Sequence, residues 1–206
     1  PGAGAGAGDY ALFVGRLSEE KGIRTLLAAW EHLTCPLKII GDGPLADQVD
    51  RLANQHAHVE WMGARSSEEV LEIMGNARVL VFPSIWYEGL PKTIIEAFSR
   101  GTPVIASRLG SMTELIDDGV TGLHVDPNNP QDLSATIAGL RDTRLREMRT
   151  NARLAYEERY TAELNYLALM DIYRQALEAK HAQQIEQVAD EQISSTPMTV
   201  IRQVAT

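Results

Sequence analysis

The chain has 206 residues and a formal net charge of -9, and 44% of its residues are hydrophobic. That size and composition are typical of a soluble domain with a well-buried core. The acidic balance argues against nucleic-acid binding, which draws its affinity from surplus Lys and Arg. No apolar run approaches the roughly 18 residues that span a bilayer, and no signal peptide is visible. With Cys35 as its single cysteine, the chain is predicted to be cytoplasmic and free of disulfides.

Residues 1–9 are almost entirely Gly and Ala. Their glycine spacing superficially resembles a dinucleotide-binding loop, but such a loop follows a strand, and no strand precedes this segment. We interpret residues 1–9 as a linker or an expression-derived segment.

From Tyr10 onward, short apolar runs alternate with amphipathic stretches, which predicts a parallel, doubly wound sheet of about six strands in a Rossmann-like three-layer α/β/α fold. The predicted strands are 11–14, 37–40, 59–62, 79–82, 104–106 and 123–125. Apolar residues at helical spacing mark the helices between them. These stripes are Ile23, Leu26, Leu27, Trp30 and Leu33; Leu45, Val49 and Leu52; Val70, Leu71 and Met74; Ile94, Ile95 and Phe98; and Leu133, Ile137 and Leu140.

After about Arg141 the pattern is helical only, with one helix near residues 144–159 and an apolar stripe over Leu164–Leu177. We assign residues 10–180 to the domain with its C-terminal helices. Residues 181–206 form a tail that we expect to be poorly ordered from Ser194.

Chemistry is expected where strand ends meet helix starts in such a sheet. The turn after the first strand, residues 15–22, carries Arg16 and Lys21, which can converge on one diphosphate. The alternative is that both are surface charges paired with Glu19 and Glu20. The turn Gly41-Asp42-Gly43-Pro44 permits a sharp strand-to-helix bend, and a purely structural role is the favoured interpretation of it.

The turn after the fourth strand, residues 88–96, runs into a helix that Pro91 can begin. Peptide N–H groups at that helix start favour an anion. Glu88 and Glu96 beside a phosphate site suggest carboxylates that hold sugar and ribose hydroxyls. The alternative is capping by Glu88 and simple exposure of Glu96. His56 and His58 lack a third metal ligand, and no metal site is predicted.

Four segments together resemble the C-terminal, donor-nucleotide domain of the large family of retaining GT-B glycosyltransferases, which includes sucrose synthases and glycogen synthase relatives. They are residues 15–22, Gly41-Asp42-Gly43-Pro44, residues 88–97 and Asp118-Gly119-Val120-Thr121-Gly122, in the family's order and spacing. One departure is Gly110-Ser111-Met112-Thr113-Glu114, where many relatives have a second glycine and a proline, although Glu114 matches.

The resemblance implies a nucleotide-diphosphate sugar (UDP-, GDP- or ADP-linked) as donor, with neither cofactor nor metal. Arg16 and Lys21 would neutralise the diphosphate, and Glu96 would bind the ribose. Glu88 would hold the transferred sugar with the backbone of Gly89, Leu90 and Pro91. The N–H groups of Lys92 and Thr93 would contact phosphate, Met62 and Arg65 would flank the base, and Gly15 and Gly41 would let the backbone approach the donor.

The family's N-terminal acceptor-binding domain is expected to precede residue 9 and is absent from this sequence. The chain alone is therefore expected to bind donor without efficient transfer, and the uncovered Leu164–Leu177 stripe could support a homodimer. Peripheral membrane association of the full-length enzyme stays open. Two rival interpretations remain: another GT-B enzyme, such as a nucleotide-sugar epimerase or a phosphorylase, and a non-catalytic nucleotide-binding scaffold.

Overall fold

The computed structural model describes the backbone of residues 2–194 and the side chains of residues 2–184. The chain divides into two compact units, with the boundary between Tyr160 and Thr161. The predicted disorder of the tail beyond Ser194 lies outside the described residues.

The first unit is built on a six-stranded parallel sheet with the strand order β3-β2-β1-β4-β5-β6. The strands are β1 (Ala11–Val14), β2 (Leu37–Ile40), β3 (Val59–Gly63), β4 (Val79–Phe82), β5 (Val104–Ser107) and β6 (Gly122–Val125). The order reverses between β1 and β4, which are neighbours. This is the strand order of doubly wound nucleotide-binding folds, in which ligands bind at the reversal.

In the described part of this unit, five helices connect successive strands, and two more follow the last strand. They are α1 (Ile23–Trp30), α2 (Ala46–Gln55), α3 (Ser67–Asn76), α4 (Lys92–Ser99), α5 (Met112–Leu115), α6 (Pro130–Ala138) and α7 (Asp142–Arg159). Their local start signals are readable in the sequence. Ser66 and Glu69 form a reciprocal capping box at the start of α3, and Asn129 caps α6 ahead of Pro130.

Alternate residues of each strand face opposite layers of helices, because side chains point to opposite faces of a sheet in turn. Ala11 and Phe13 of β1 pack into one core cluster with α1, α2 and α6. Leu12 of the same strand packs into the second cluster with α3, α4 and α7. Both faces of the sheet are therefore covered, and the predicted three-layer α/β/α fold is confirmed.

The predicted strands match the observed ones to within a residue at either end, and each predicted helical stripe lies on or beside a helix. Gly101, with φ of 68°, follows α4 as the left-handed glycine typical of a helix end. The short helix α5 was not predicted, because Met112–Leu115 is too brief to show a helical period.

Residues 2–9 contain no strand or helix, but their backbone is bonded to the first unit. The N–H groups of Gly4, Gly6 and Gly8 donate to the carbonyls of Arg100, Gly75 and Asn76. A Cβ on Gly4 would lie 2.1 Å from the Gly75 oxygen. The glycines of this segment thus allow a close approach between two backbones.

The second unit contains the helix α8 (Ala162–Ser194), which extends past the predicted domain end at Lys180. Many of its apolar side chains are exposed, including Leu167 at 57% and Ile172 at 61%. Among the helices of the described residues, none combines the length and apolar character needed to cross a bilayer.

The start of α1 depends on Gly22. Its φ is 72°, and a Cβ there would lie 1.9 Å from the carbonyl oxygen of Pro83, just past β4. Gly63 also has a positive φ, of 68°, but a Cβ there would meet no atom within 4 Å. Only Gly22 therefore combines a left-handed backbone with a steric block between the β1–α1 and β4–α4 loops.

We expect Gly22→Ala to lower the free energy of unfolding by the left-handed cost of about 1–2 kcal/mol and by a further ~1–3 kcal/mol of overpacking. Gly63→Ala should show the backbone cost alone. Urea unfolding followed by circular dichroism measures both. Equal losses in the two variants would contradict the packing of Gly22 against Pro83.

Candidate functional site

The reversal of strand order places two loops side by side at the carboxyl ends of β1 and β4. The β1–α1 loop carries Lys21, and the β4–α4 loop carries Glu88. Loops that leave neighbouring strands toward opposite faces of a sheet open a crevice between them, which is where ligands of such folds bind.

Lys21 and Glu88 form an ion pair across this crevice, with Nζ 2.7 Å from Oε1. Their side chains are only 28% and 15% exposed, so solvent screens the pair less than it screens a surface pair. The Lys21 ammonium also lies 5.7 Å from the ring centroid of Phe82. A cation and a carboxylate are thus held together at the carboxyl edge of the sheet.

Ser84 contacts the carboxylate of Glu88 with its buried hydroxyl. Its hydroxyl oxygen, in a side chain that is 1% exposed, lies 2.8 Å from Glu88 Oε1 and 3.0 Å from the Glu20 carbonyl oxygen. A hydroxyl has one proton, so it donates to one of these acceptors at a time. Lys21 and Ser84 both converge on Oε1, and neither of them is hydrogen-bonded to Oε2 of Glu88.

The β4–α4 loop is tied to its neighbours on both sides. The Ile85 N–H donates to the Glu20 carbonyl at 3.0 Å, which joins the loop to the β1–α1 loop. The Ser111 hydroxyl donates to the Glu88 carbonyl at 2.8 Å, which joins it to the start of α5. Glu88 is therefore positioned by backbone contacts as well as by its side chain.

A cavity of about 240 Å³ opens beside the ion pair. It is lined by residues of the strand ends, both loops and the first turn of α4: Phe13, Val14, Gly15, Lys21, Phe82, Ser84, Glu88, Leu90, Pro91, Lys92 and Thr93. Many predicted site residues thus surround one space, namely Gly15, Lys21, Glu88, Leu90, Pro91, Lys92 and Thr93.

The helix α4 begins at this cavity, with Pro91 as its capping residue and no side chain capping it. The N–H groups of Lys92 and Thr93 lie in the first turn of α4. At that position of a helix, backbone N–H groups have no carbonyl acceptor within the helix. These free donors and the positive end of the helix dipole favour an anionic ligand.

Other predicted residues lie outside the lining of this cavity. Arg16 is exposed on the β1–α1 loop, and Glu96 is half-buried on α4. Gly89 is exposed next to Glu88. The structure therefore unites Lys21 with Glu88 and shows no contact of Arg16 or Glu96 with that pair among the residues described.

Gly41 meets the site through the backbone, since a Cβ there would lie 1.9 Å from the Gly15 oxygen. Its own carbonyl accepts from the Trp61 indole N–H at 3.0 Å. Met62 lies on β3, and Arg65 follows the end of that strand. Met62 packs partly against the core, whereas Arg65 is exposed.

Sequence reasoning missed four residues of the site. Ser84 anchors Glu88, and Phe13, Val14 and Phe82 also line the cavity. A hydroxyl residue directly after a buried strand, as in Pro83-Ser84, was the available signal for the first. The two phenylalanines are indistinguishable by sequence from ordinary core residues.

Two other features have simple packing explanations. The rings of His56 and His58 contact each other edge to face, with centroids 5.5 Å apart. Burial raises the pKa of the Cys35 thiol, which disfavours the reactive thiolate.

The strand order, the crevice at the reversal and the open helix start define a Rossmann-like α/β domain. The family model described as glycosyl transferases group 1 matches residues 5–158, more than half of the chain. The chain belongs to this family of GT-B glycosyltransferases, which confirms the resemblance drawn from the sequence motifs.

Curated proteins that are similar in sequence to this chain are also glycosyltransferases. An uncharacterized glycosyltransferase of Methanocaldococcus jannaschii is 36% identical over 137 residues, covering 65% of this chain and 39% of the relative. The O-antigen chain mannosyltransferase C of Escherichia coli is 32% identical over 178 residues, covering 84% of this chain and 48% of the relative.

Solved structures share the fold. Sucrose-phosphate synthase from Thermosynechococcus elongatus superposes with a TM-score of 0.75 at 27% identity, covering 84% of this chain and 47% of that one. Anabaena HepE in complex with UDP gives a TM-score of 0.71 at 23% identity, covering 82% of this chain and 49% of that one. This chain therefore matches less than half the length of each of these relatives.

We expect Ser84→Ala to destabilise the fold by about 1–2 kcal/mol, because it removes a buried hydroxyl that donates to either Glu88 or the Glu20 carbonyl. Ser134→Ala is the matched control, since that hydroxyl bonds only the Gln131 carbonyl at an exposed position. Its effect should stay within about 0.5 kcal/mol. Chemical denaturation of both variants is the measurement, and an equally small effect at Ser84 would contradict its anchoring role.

Proposed function

We propose that this chain is the donor-binding domain of a retaining glycosyltransferase of the hexosyltransferase type, which moves a sugar from a nucleotide-diphosphate sugar to an acceptor hydroxyl. The observation that carries the proposal is the Lys21–Glu88 pair, held 2.7 Å apart beside the open start of α4. One cation, one carboxylate and free N–H donors in a single crevice match the groups of a sugar diphosphate.

In this proposal the main task of the site is to stabilise the leaving diphosphate. Transfer passes through an oxocarbenium-like state, as in glycoside hydrolysis, while negative charge grows on the leaving group. The Lys21 ammonium would exchange part of its contact with Glu88 for a diphosphate oxygen. The N–H groups of Lys92 and Thr93 would bind the same group, so that fixed positive charge takes the part of a metal ion.

Arg16 is exposed on the same loop as Lys21 and would turn toward the diphosphate once donor is bound. Glu88 Oε2 would accept from a hydroxyl of the transferred sugar, with the backbone of Gly89, Leu90 and Pro91 beside it. Glu96 would bind the ribose hydroxyls, and Met62 and Arg65 would flank the base. In this proposal the reaction retains configuration by attack on the face that the diphosphate leaves, and no protein nucleophile is assigned.

The acceptor is assigned to a second domain. This chain matches only 39% and 48% of the lengths of two transferases that it resembles. We therefore propose that the isolated chain binds donor without efficient transfer, and that the complete enzyme works in the cytoplasm. One relative is named a mannosyltransferase, and one structural neighbour was solved in complex with UDP. These two facts justify testing more than one donor.

Isothermal titration with UDP-glucose, GDP-mannose and ADP-glucose tests donor binding directly. We expect one of them to bind, and Lys21→Ala to weaken that binding by about tenfold or more, because a charge-assisted hydrogen bond is lost. Arg16→Ala should weaken it to a smaller extent.

Lys38→Ala is the matched control. Lys38 also pairs with a glutamate, Glu60 at 3.5 Å, and its side chain is 30% exposed, but it lies within β2 and away from the cavity. Its loss should leave donor affinity unchanged. No binding of any donor at millimolar concentration would favour a non-catalytic scaffold instead.

The exposed apolar side chains of α8 support a second proposal, that two copies of the chain associate through this helix. Leu167 and Ile172 are more than half exposed, and such apolar surface is usually covered by a partner. Light scattering should show a concentration-dependent dimer, which a chain ending at Tyr160 or the double variant Leu167→Glu, Ile172→Glu no longer forms. A monodisperse monomer at all concentrations would contradict it.

A further inference from the structure

His124 is a buried polar residue for which core packing gives no reason. It lies on the edge strand β6 between Leu123 and Val125, and its side chain is only 4% exposed. Burying an imidazole is costly unless its nitrogens are bonded. An apolar residue at this position would extend the strand without that cost, so the ring is expected to have a specific role.

The imidazole makes one hydrogen bond, to the first residue of α5. Nε2 lies 3.2 Å from the Met112 carbonyl oxygen, and because a carbonyl only accepts, Nε2 carries the proton. Within the described part of the chain Nδ1 has no hydrogen-bond partner. The ring is thus committed to holding α5 by a single donated bond.

Asp118 lies beside this ring and bonds the backbone of the same strand. Its Oδ1 accepts from the backbone N–H of His124 at 2.9 Å and lies 3.8 Å from the imidazole Nδ1. Oδ2 of Asp118 lies 3.7 Å from Nη2 of Arg108. The carboxylate is therefore tied to the strand on which His124 lies.

The start of α5 in turn contacts the loop that carries Glu88. Ser111 precedes Met112 and donates its hydroxyl to the Glu88 carbonyl at 2.8 Å. At Gly110, whose φ is 53°, a Cβ would lie 3.0 Å from Cδ1 of Tyr87. A glycine at position 111 would have no side chain with which to make the bond to Glu88.

We propose that His124 is a positioning residue of the donor site: by holding Met112 it sets Ser111, and Ser111 holds the backbone of Glu88. His124 does not line the cavity, so it acts only through this chain of contacts. Its consequence for donor affinity rests on the proposed function, whereas its effect on the loop can be measured without any donor.

Hydrogen–deuterium exchange of the 206-residue chain tests the coupling in the absence of donor. In His124→Leu, amides of residues 84–90 should exchange about three- to tenfold faster, because one hydrogen bond that holds the loop is lost. His124→Gln should restore slow exchange, since its side-chain amide can donate to the Met112 carbonyl. Exchange in α2, which makes none of these contacts, should not change in either variant.

A double-variant cycle separates positioning from simple support of the fold. Ser111→Ala should speed exchange of residues 84–90 as His124→Leu does, and His124→Leu should add nothing once Ser111 is Ala. Thr113→Ala is the matched control on α5, because the Thr113 hydroxyl bonds only the Gly110 carbonyl. Independent, additive effects of the two variants, or faster exchange throughout the chain, would overturn the proposal.

Titration with UDP-glucose, GDP-mannose and ADP-glucose then distinguishes the two claims. If the unmodified chain binds one of them, His124→Leu should weaken that binding by at most the factor by which it speeds exchange of residues 84–90, and His124→Gln should not weaken it. If the unmodified chain binds none, the proposed function fails while the exchange data still decide the role of His124. Donor affinity unaltered by His124→Leu would contradict the role in the site.

Discussion

The ion pair between Lys21 and Glu88 joins two loops that leave neighbouring strands toward opposite faces of the sheet. Its geometry follows from the strand order, because only the reversal between β1 and β4 brings these loops together. The pair is partly shielded from water, so an unpaired Lys21 or Glu88 would be costly there. Each charge thereby keeps the other in the crevice.

Contacts from neighbouring residues restrict the movement of the Lys21–Glu88 pair and of the loop that carries Glu88. Ser84 holds the carboxylate from the core side, Glu20 holds the loop through its carbonyl, and Ser111 holds it from α5. Gly22 permits the close approach of the two loops that this arrangement needs. Such a site is organised before a ligand arrives, which lowers the reorganisation that binding and transition-state stabilisation require. The chain belongs to the family of glycosyl transferases group 1, and the proposed sugar transfer would use this preorganised charge.

The sheet was predictable because each buried strand is a short apolar run bounded by turn residues, and the proximity of Lys21 and Glu88 follows once such runs are placed in a parallel sheet. Side-chain direction was not predictable. Periodicity says which face of α4 Glu96 occupies, but not that it stays outside the lining of the cavity, and it leaves the direction of Arg16 on a loop undefined. The bond from His124 to Met112 depends on how an edge strand packs against a four-residue helix, which no sequence period encodes.

A crystal structure of this chain with bound UDP is the most direct measurement of the central claim, that the Lys21–Glu88 crevice is a diphosphate site. The diphosphate is expected at the start of α4, with a phosphate oxygen within hydrogen-bond distance of Lys21 Nζ and of the first N–H groups of the helix. UDP bound elsewhere on the domain, or bound nearby with its phosphates turned away from Lys21 and α4, would contradict it.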